Sequence, residues 1–369
     1  MILEILLITF GIITFIQFIY YILIFGRFSF LKKSETKPKR LPISVIVCAK
    51  NEAENIKKFV PLLLNQNYPE YEVVLIDDAS GDETRDLFEE FEKKDSRVKL
   101  VKVDNNEAFW GNKKYALTLG IKAAKNEYLV FTDGDCYPNS TNWLLEMTSH
   151  FSAEKSIVLG YGAYDKIKNS FLNKVIRFET LLTAAQYFSW AKVGKPYMGV
   201  GRNLAYKREE FFRVRGFMDH MQVRSGDDDL FINQAGNSKN TTICFSEESF
   251  TYSEPKKTYK EWFNQKRRHV STAKLYKGFD KFQLGLFFIS QLFFFILATI
   301  LLSFQYQWII VASIVGFRYL FSWISLGYAA AKLKEKDVMY WFPIMELFLI
   351  FTQLNVFVTN LFSKPVHWK

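Results

Sequence analysis

Tyr128-Leu129-Val130-Phe131-Thr132-Asp133-Gly134-Asp135 reads as a buried strand that ends on two carboxylates one residue apart. Two upstream stretches repeat the form. Ile43–Ala49 is a β-rich apolar run followed by Lys50-Asn51-Glu52, and Glu72–Ile76 is a second, stopped by Asp77-Asp78. Val98–Val103 is one more strand, and Ala53–Asn65, Asp82–Lys94 and Lys113–Lys125 carry helical patterns. Strands alternating with helices imply βαβ units and a mainly parallel sheet, an α/β class. Such sheets bind ligands beyond the carboxyl ends of their strands. Asn51-Glu52, Asp77-Asp78 and Asp133-Gly134-Asp135 therefore belong to one crevice, although they lie far apart in sequence.

The flanks are of another kind. Ile2–Phe25 is apolar apart from Glu4 and a few hydroxyl and amide groups, and approaches the roughly 20 residues that span a bilayer. Its positive charge follows rather than precedes it, at Arg27, Lys32, Lys33, Lys37, Lys39 and Arg40. That order fits an uncleaved anchor with its C-terminal side in the cytoplasm, not a signal peptide. Three more apolar runs close the chain: Phe282–Phe304, Trp308–Ala331 and Tyr340–Phe362. The last holds Pro343, Glu346, Gln353, Asn355 and Asn360, whose polar atoms need partners inside a membrane. It fits either a spanning helix or a re-entrant hairpin; the hairpin is expected here, with Lys364–Lys369 then cytoplasmic. The expected organisation is an anchor over 1–26, a catalytic α/β domain over 41–253, an amphipathic interfacial region over 254–280 and a membrane block over 281–363.

Composition agrees with this reading. Lys plus Arg outnumber Asp plus Glu by 48 to 38, so an anionic partner is expected. The 37 Phe crowd the two ends, which points that partner to lipid rather than nucleic acid. Cys48, Cys136 and Cys244 are too few and too scattered for a disulfide framework or a zinc site.

Several groups carry possible chemistry. Asp133 and Asp135 offer paired hard oxygens that suit Mg²⁺ or Mn²⁺, or they are an ordinary Asp-Gly turn. Asp78 can accept from a nucleoside, while Ser80 or Asp82 caps the following helix. Asn51 and Glu52 fit a ligand contact or a cap. Phe109-Trp110-Gly111-Asn112-Lys113 opens a helix where lysine and backbone amides suit a diphosphate, without P-loop spacing. Gly199-Val200-Gly201-Arg202 is a compact turn that can bring backbone close to a ligand. Asp227-Asp228-Asp229 repel one another, so exposure, a metal or proton uptake must relieve them, and one of them can serve as general base. Gln265-Lys266-Arg267-Arg268-His269 lies in an amphipathic helix over 257–277 that fits anionic headgroups, with Arg268 a possible diphosphate clamp.

In this order the motifs resemble those of the family-2 inverting glycosyltransferases with a GT-A fold, from about Pro42 to His269. The resemblance implies that Asp133-Gly134-Asp135 is the Asp-x-Asp metal and donor site and that Asp78 binds the nucleoside. It implies that Asp227-Asp228 replaces the Glu/Asp-Asp pair, so that Asp228 is the base, with Asp229 the alternative in register. Gln265-x-x-Arg268-His269 resembles a Gln-x-x-Arg-Trp motif, with His for Trp. The expected substrate-binding residues are thus Asn51, Glu52, Asp78, Lys113, Asp133, Asp227, Gln265, Arg268 and His269. The implied reaction transfers a sugar from a nucleotide sugar, by family expectation a UDP-sugar, to a lipid or lipid-linked hydroxyl at the cytoplasmic membrane face. The alternatives are a processive polysaccharide synthase, a nucleotidyltransferase and a non-catalytic membrane scaffold. The absence of a Gly-rich phosphate loop after Ile43–Ala49 weighs against the nucleotidyltransferase.

Overall fold

The structure, a computed structural model, describes residues 1–32, 37–103, 113–223 and 225–363. The Gly111-Asn112 lead-in and the terminal run 364–369 lie outside the described residues. The strands are β1 Ile43–Ala49, β2 Tyr71–Asp78, β3 Val98–Val103, β4 Tyr128–Asp133, β5 Cys136–Pro138, β6 Ile157–Leu159, β7 Gly162–Tyr164, β8 Leu204–Lys207, β9 Thr241–Ile243 and β10 Thr251–Ser253. One sheet has the order β3-β2-β1-β4-β8-β6-β9, and β5-β10-β7 form a small second sheet. The run from β3 to β4 is parallel, as are β6 and β9; β8 is antiparallel to both of its neighbours.

β1, β2 and the middle of β4 are covered on both faces, which is why they read as unbroken apolar runs. Ile46, Cys48, Val74, Ile76 and Phe131 pack under the helix Lys113–Ala123. Val45, Val47, Val73, Leu75 and Val130 pack on the other side with Ile56, Val60 and Leu63 of the helix Ala53–Leu64. The strands end level, with Ala49 beside Asp77 and Cys48 beside Asp133.

Two boundaries differ from expectation. β2 continues through Asp77 and Asp78 instead of stopping at Ile76. Its last two residues are buried acids, at 1% and 7% exposure, carried by ladder pairing to Lys102 and Val103 of β3. The next helix is Thr84–Lys94, beginning after Asp82. Asp82 instead joins two loops, accepting from the Thr84 amide at 3.0 Å and the Ala53 amide at 3.2 Å.

Four helices are long and apolar enough to cross a membrane: Ile2–Ser29, Gly278–Ser303, Trp308–Lys332 and Lys336–Phe362. The first passes through a π-helical stretch, Ile19–Ile24, that turns Tyr20 and Tyr21 onto Phe287. The last corrects the hairpin expectation. Phe342–Phe362 is one uninterrupted helix, because Pro343 sits in its first turn, where a missing N–H breaks no helical bond. Two of its polar groups find protein partners: Glu346 meets Arg318, and Asn360 accepts from Arg267 at 2.9 Å.

The interfacial helix is Tyr259–Thr272, started by a reciprocal Thr258–Glu261 capping box. Its basic run is not free for headgroups as expected. Lys266 pairs with Glu179 at 2.5 Å, and buried Arg267 donates to Asn360 and to the Ser363 carbonyl and hydroxyl. These cations dock the helix on protein instead.

Candidate active site

Asp133 ends β4 on the face of the sheet that carries Phe131, and Asp78 ends β2 on the same face, because side chains alternate along a strand. The start of the helix Lys113–Ala123 stands over that face. Lys113 Nζ lies 2.6 Å from Asp133 Oδ1 and 2.9 Å from Asp227 Oδ2, so it bridges acids 94 residues apart in sequence. Burial alone would lower this ammonium, but the two carboxylates hold it well above its usual range. A pocket at this point is lined by Cys48, Lys113, Phe131, Asp133, Gly201, Tyr206, Asp227 and Asp228.

Asp135 follows Asp133 across a tight approach. A Cβ on Gly134 would stand 2.8 Å from Ala49 Cβ, so glycine is needed because β4 leaves the sheet against the end of β1. Close packing, rather than an unusual backbone angle, explains this residue. Donor atoms of Asp133, Asp135 and Cys136 lie within 4.8 Å of one another. Burial and the neighbouring Asp135 push the Cys136 thiol well up, so it stays protonated and a poor ligand. That leaves two carboxylates, a hard oxygen set that fits Mg²⁺ or Mn²⁺. Burial also raises Asp133 despite Lys113, with Asp135 adding repulsion, and a divalent cation would offset both effects.

The acid run divides into three environments. Gly226, at φ +93°, turns the chain so that Asp227 and Asp228 enter the pocket. Burial works against the Asp227 carboxylate, but Lys113 holds it below the usual range. Asp228 is pushed up to about 7 by burial and by the charges of Asp227 and Asp229. Its Oδ2 accepts from the Gly201 amide at 2.6 Å and its Oδ1 from the Asp229 amide at 2.7 Å. The glycine turn at Gly201 thus brings backbone to Asp228. Asp229 faces away from this pocket, accepting from Thr272 and Tyr276.

The remaining expected residues take distinct places. Asp78 is raised by burial and by Asp77, with Lys50 opposing. Asn51, at φ +56°, caps no helix; its Oδ1 accepts from the Gly81 amide at 2.8 Å and ties the turns after β1 and β2 together. Glu52 accepts from Asn55 at 2.6 Å and is raised by burial, with Asp135 and Asp133 adding to the rise. Gln265 Nε2 reaches Tyr164 Oη at 3.5 Å. Arg268 is half-buried, and burial lowers its guanidinium. His269 is exposed, in the field of Lys266, Arg268, Arg202 and Lys113.

Sequence reasoning assigned no role to two cations. Arg202 lies 4.2 Å from the Tyr164 ring and donates to the Gly162 and Ala163 carbonyls and to Ser253. It links the pocket wall to Tyr164 and so to Gln265. Lys114, fully buried, donates to His220 Nδ1 and His220 O at 2.8 Å and to Val223 O at 3.0 Å, pinning the turn before the acid run. Burial pushes Lys114 down to about 8. The adjacent Lys113-Lys114 pair was the one signal available.

Comparison with known proteins bears on this geometry. Residues 44–223 match the model of glycosyl transferase family 2. Glycosyltransferase AglE of Haloferax volcanii is 33% identical over 104 residues, 28% of this chain and 33% of that protein. The poly-beta-1,6-N-acetyl-D-glucosamine synthase of Staphylococcus epidermidis is 36% identical over 121 residues, 32% of this chain and 28% of that protein. The chain thus spans less than two thirds of the length of these curated relatives. The mannosyltransferase PcManGT of Pyrobaculum calidifontis, described in complex with GDP-Man and Mn²⁺, is 18% identical and superposes with a TM-score of 0.58. It covers 90% of this chain and 98% of its own, and shares the fold. Residues 44–223 thus form a domain that matches glycosyl transferase family 2 and has a GT-A fold.

Proposed function

We propose that the chain transfers one sugar, with inversion, from a nucleotide sugar to a lipid or lipid-linked hydroxyl at the cytoplasmic face of a membrane. A UDP-sugar is the working donor. The observation that carries the reading is the convergence on one pocket of Asp133, Asp227, Asp228 and Lys113, in a family 2 domain set among membrane-length helices.

In this reading Asp78 takes the nucleoside beyond β2, with Asn51 and Glu52 on the neighbouring loop. Asp228 accepts the acceptor proton as the hydroxyl oxygen bonds to the anomeric carbon. The bond from that carbon to the diphosphate oxygen breaks, and its electron pair leaves with the nucleoside diphosphate. Lys113 and Arg268 offset the charge that grows on the leaving group. Asp227 stays ionised beside Lys113 and holds it in place. A divalent Mg²⁺ or Mn²⁺ held by Asp133 and Asp135 supplies further charge neutralisation when bound. Gln265 and His269, on the interfacial helix, face the acceptor side. The anchor's trailing positive charge supports the cytoplasmic orientation.

The test is turnover of a panel of UDP- and GDP-sugars by detergent-solubilised protein, with Mn²⁺ or Mg²⁺, with and without membrane lipid. Metal-dependent release of nucleoside diphosphate from one donor, lost in Asp135→Ala and stimulated by lipid, is the expected result. Folded protein that turns over no donor overturns the reading. The similarity to a polymer-forming synthase motivates one second reading, repeated addition to a growing glycan; product length decides between them.

A further inference from the structure

Asp229 has the same charge as its two neighbours but none of their surroundings. Its Oδ2 accepts from Thr272 Oγ1 at 2.5 Å and Tyr276 Oη at 2.7 Å, and its Oδ1 from the Leu230 amide at 2.7 Å. Thr272 has one hydroxyl proton and a second acceptor within reach, the His269 carbonyl at 2.7 Å. An ionised carboxylate is the stronger acceptor and takes that proton. Thr272 is fully buried and Tyr276 nearly so, so water does not compete for these bonds.

Four residues on, along the same side of the short helix Asp229–Ala235, Asn233 repeats the arrangement. Its Oδ1 accepts from the Lys277 amide at 3.0 Å, and its Nδ2 donates to Asp280 Oδ2 at 2.8 Å. Lys277 and Asp280 begin the membrane-length helix Gly278–Ser303. The short helix is thereby laid along residues 272–280, the piece of chain that joins the interfacial helix to the membrane. Asp228 is the cap of that same short helix, with its Oδ1 on the Asp229 amide.

We infer that Asp229 is a positioning residue: through Thr272 and Tyr276 it fixes Asp228 from the membrane side, so that entry of the chain into the bilayer sets the register of the base. The inference rests on Asp228 as base. Both Asp229 oxygens accept from protein donors and the residue does not line the pocket, so it is not placed as a spare base or a metal ligand. The same segment carries Gln265, Arg268 and His269 on its interfacial helix, so one joint aligns the base with the side from which a membrane acceptor arrives.

Thr272→Val and Tyr276→Phe remove the two hydroxyls and leave every acid in place. In full-length protein reconstituted in lipid, each should lower kcat about tenfold and the double variant more, as expected when a base is displaced by a fraction of an ångström. The donor KM, and the Kd of UDP or GDP with Mn²⁺, should stay within about twofold. Amide hydrogen exchange over residues 229–235 should rise about tenfold, and Thr272→Ser, which keeps the hydroxyl, should restore both readouts. A folded double variant with wild-type kcat and unchanged exchange overturns the inference. A raised KM at constant kcat also overturns it, since these hydroxyls would then serve donor binding. Asp228→Asn run alongside separates the two ideas. If it keeps full turnover, the base assignment fails, and the joint is judged on exchange alone: a rise keeps it as a tether of the short helix, and no rise removes it.

Discussion

Asp228 illustrates how a single side chain acquires a function from its surroundings. It lies between two acids in sequence, is partly buried, and accepts two backbone amides, and the balance pushes its carboxyl up to about 7. A general base works best when its proton affinity lies near the working pH. Asp228→Asn keeps the shape and one of the two amide contacts, since its Nδ2 cannot accept, and it cannot take a proton. Transfer should fall by about 10²–10⁴-fold, while UDP or GDP binding measured by calorimetry stays within about twofold. The pH profile of wild-type kcat/KM should rise through about 7, because ionised Asp228 is the active form. The sign for stability runs the other way. A carboxyl raised in the folded protein is favoured there in its protonated form, so this contribution is full below the ordinary aspartate range and is lost as pH rises through about 7. Thermal melts of ligand-free protein between pH 5 and 8.5 should show that loss, and Asp228→Asn should flatten it.

At the level of strands and helices, Gly134 sets how β4 hands its acids to the site. Ala at this position brings its Cβ into Ala49 at the end of β1, and one of the two strands must move. Gly134→Ala should cost about 1–3 kcal/mol of stability and at least tenfold in Mn²⁺ affinity, read by denaturant melts and by metal titration of UDP binding. The sequence shows the glycine but not this reason, since Ala49 lies 85 residues earlier. The same divide runs through the fold. β1 to β4 and their helices were legible because strands buried on both faces leave apolar runs and helices leave a 3.6-residue period. β5, β6, β7, β9 and β10, at three residues each, are too short to leave any period. The antiparallel β8 follows from pairings that only the folded chain makes. In the site, paired acids after strands could be read locally. The hold of Lys114 on His220, or of Asp229 on Thr272, could not, because such bonds join residues 106 and 43 positions apart.

Across the whole molecule, one polar cluster joins all four membrane-length helices. Arg318, fully buried, pairs with Glu346 through both guanidinium ends and donates to Gln17 at 2.6 Å; Gln291 and Tyr21 donate to Glu346 at 3.0 and 3.2 Å. Such groups are costly in a bilayer unless every charge is matched, and here each helix contributes one side of the match. Through Gln17 and Tyr21 the first helix packs into one bundle with the C-terminal helices. Glu346→Gln leaves a guanidinium without its counter-charge and should cost about 3–5 kcal/mol, seen as a large drop in melting temperature in detergent. Replacing both partners with apolar side chains, Arg318→Met with Glu346→Leu, removes the charge and its penalty together and should recover most of that loss. If the double variant is instead as unstable as the single, the pair contributes directional bonds that packing cannot replace. Because one helix of the bundle begins at Gly278, next to the segment that holds Asp229, the single variant should lower kcat as well as stability, and the double variant should restore both.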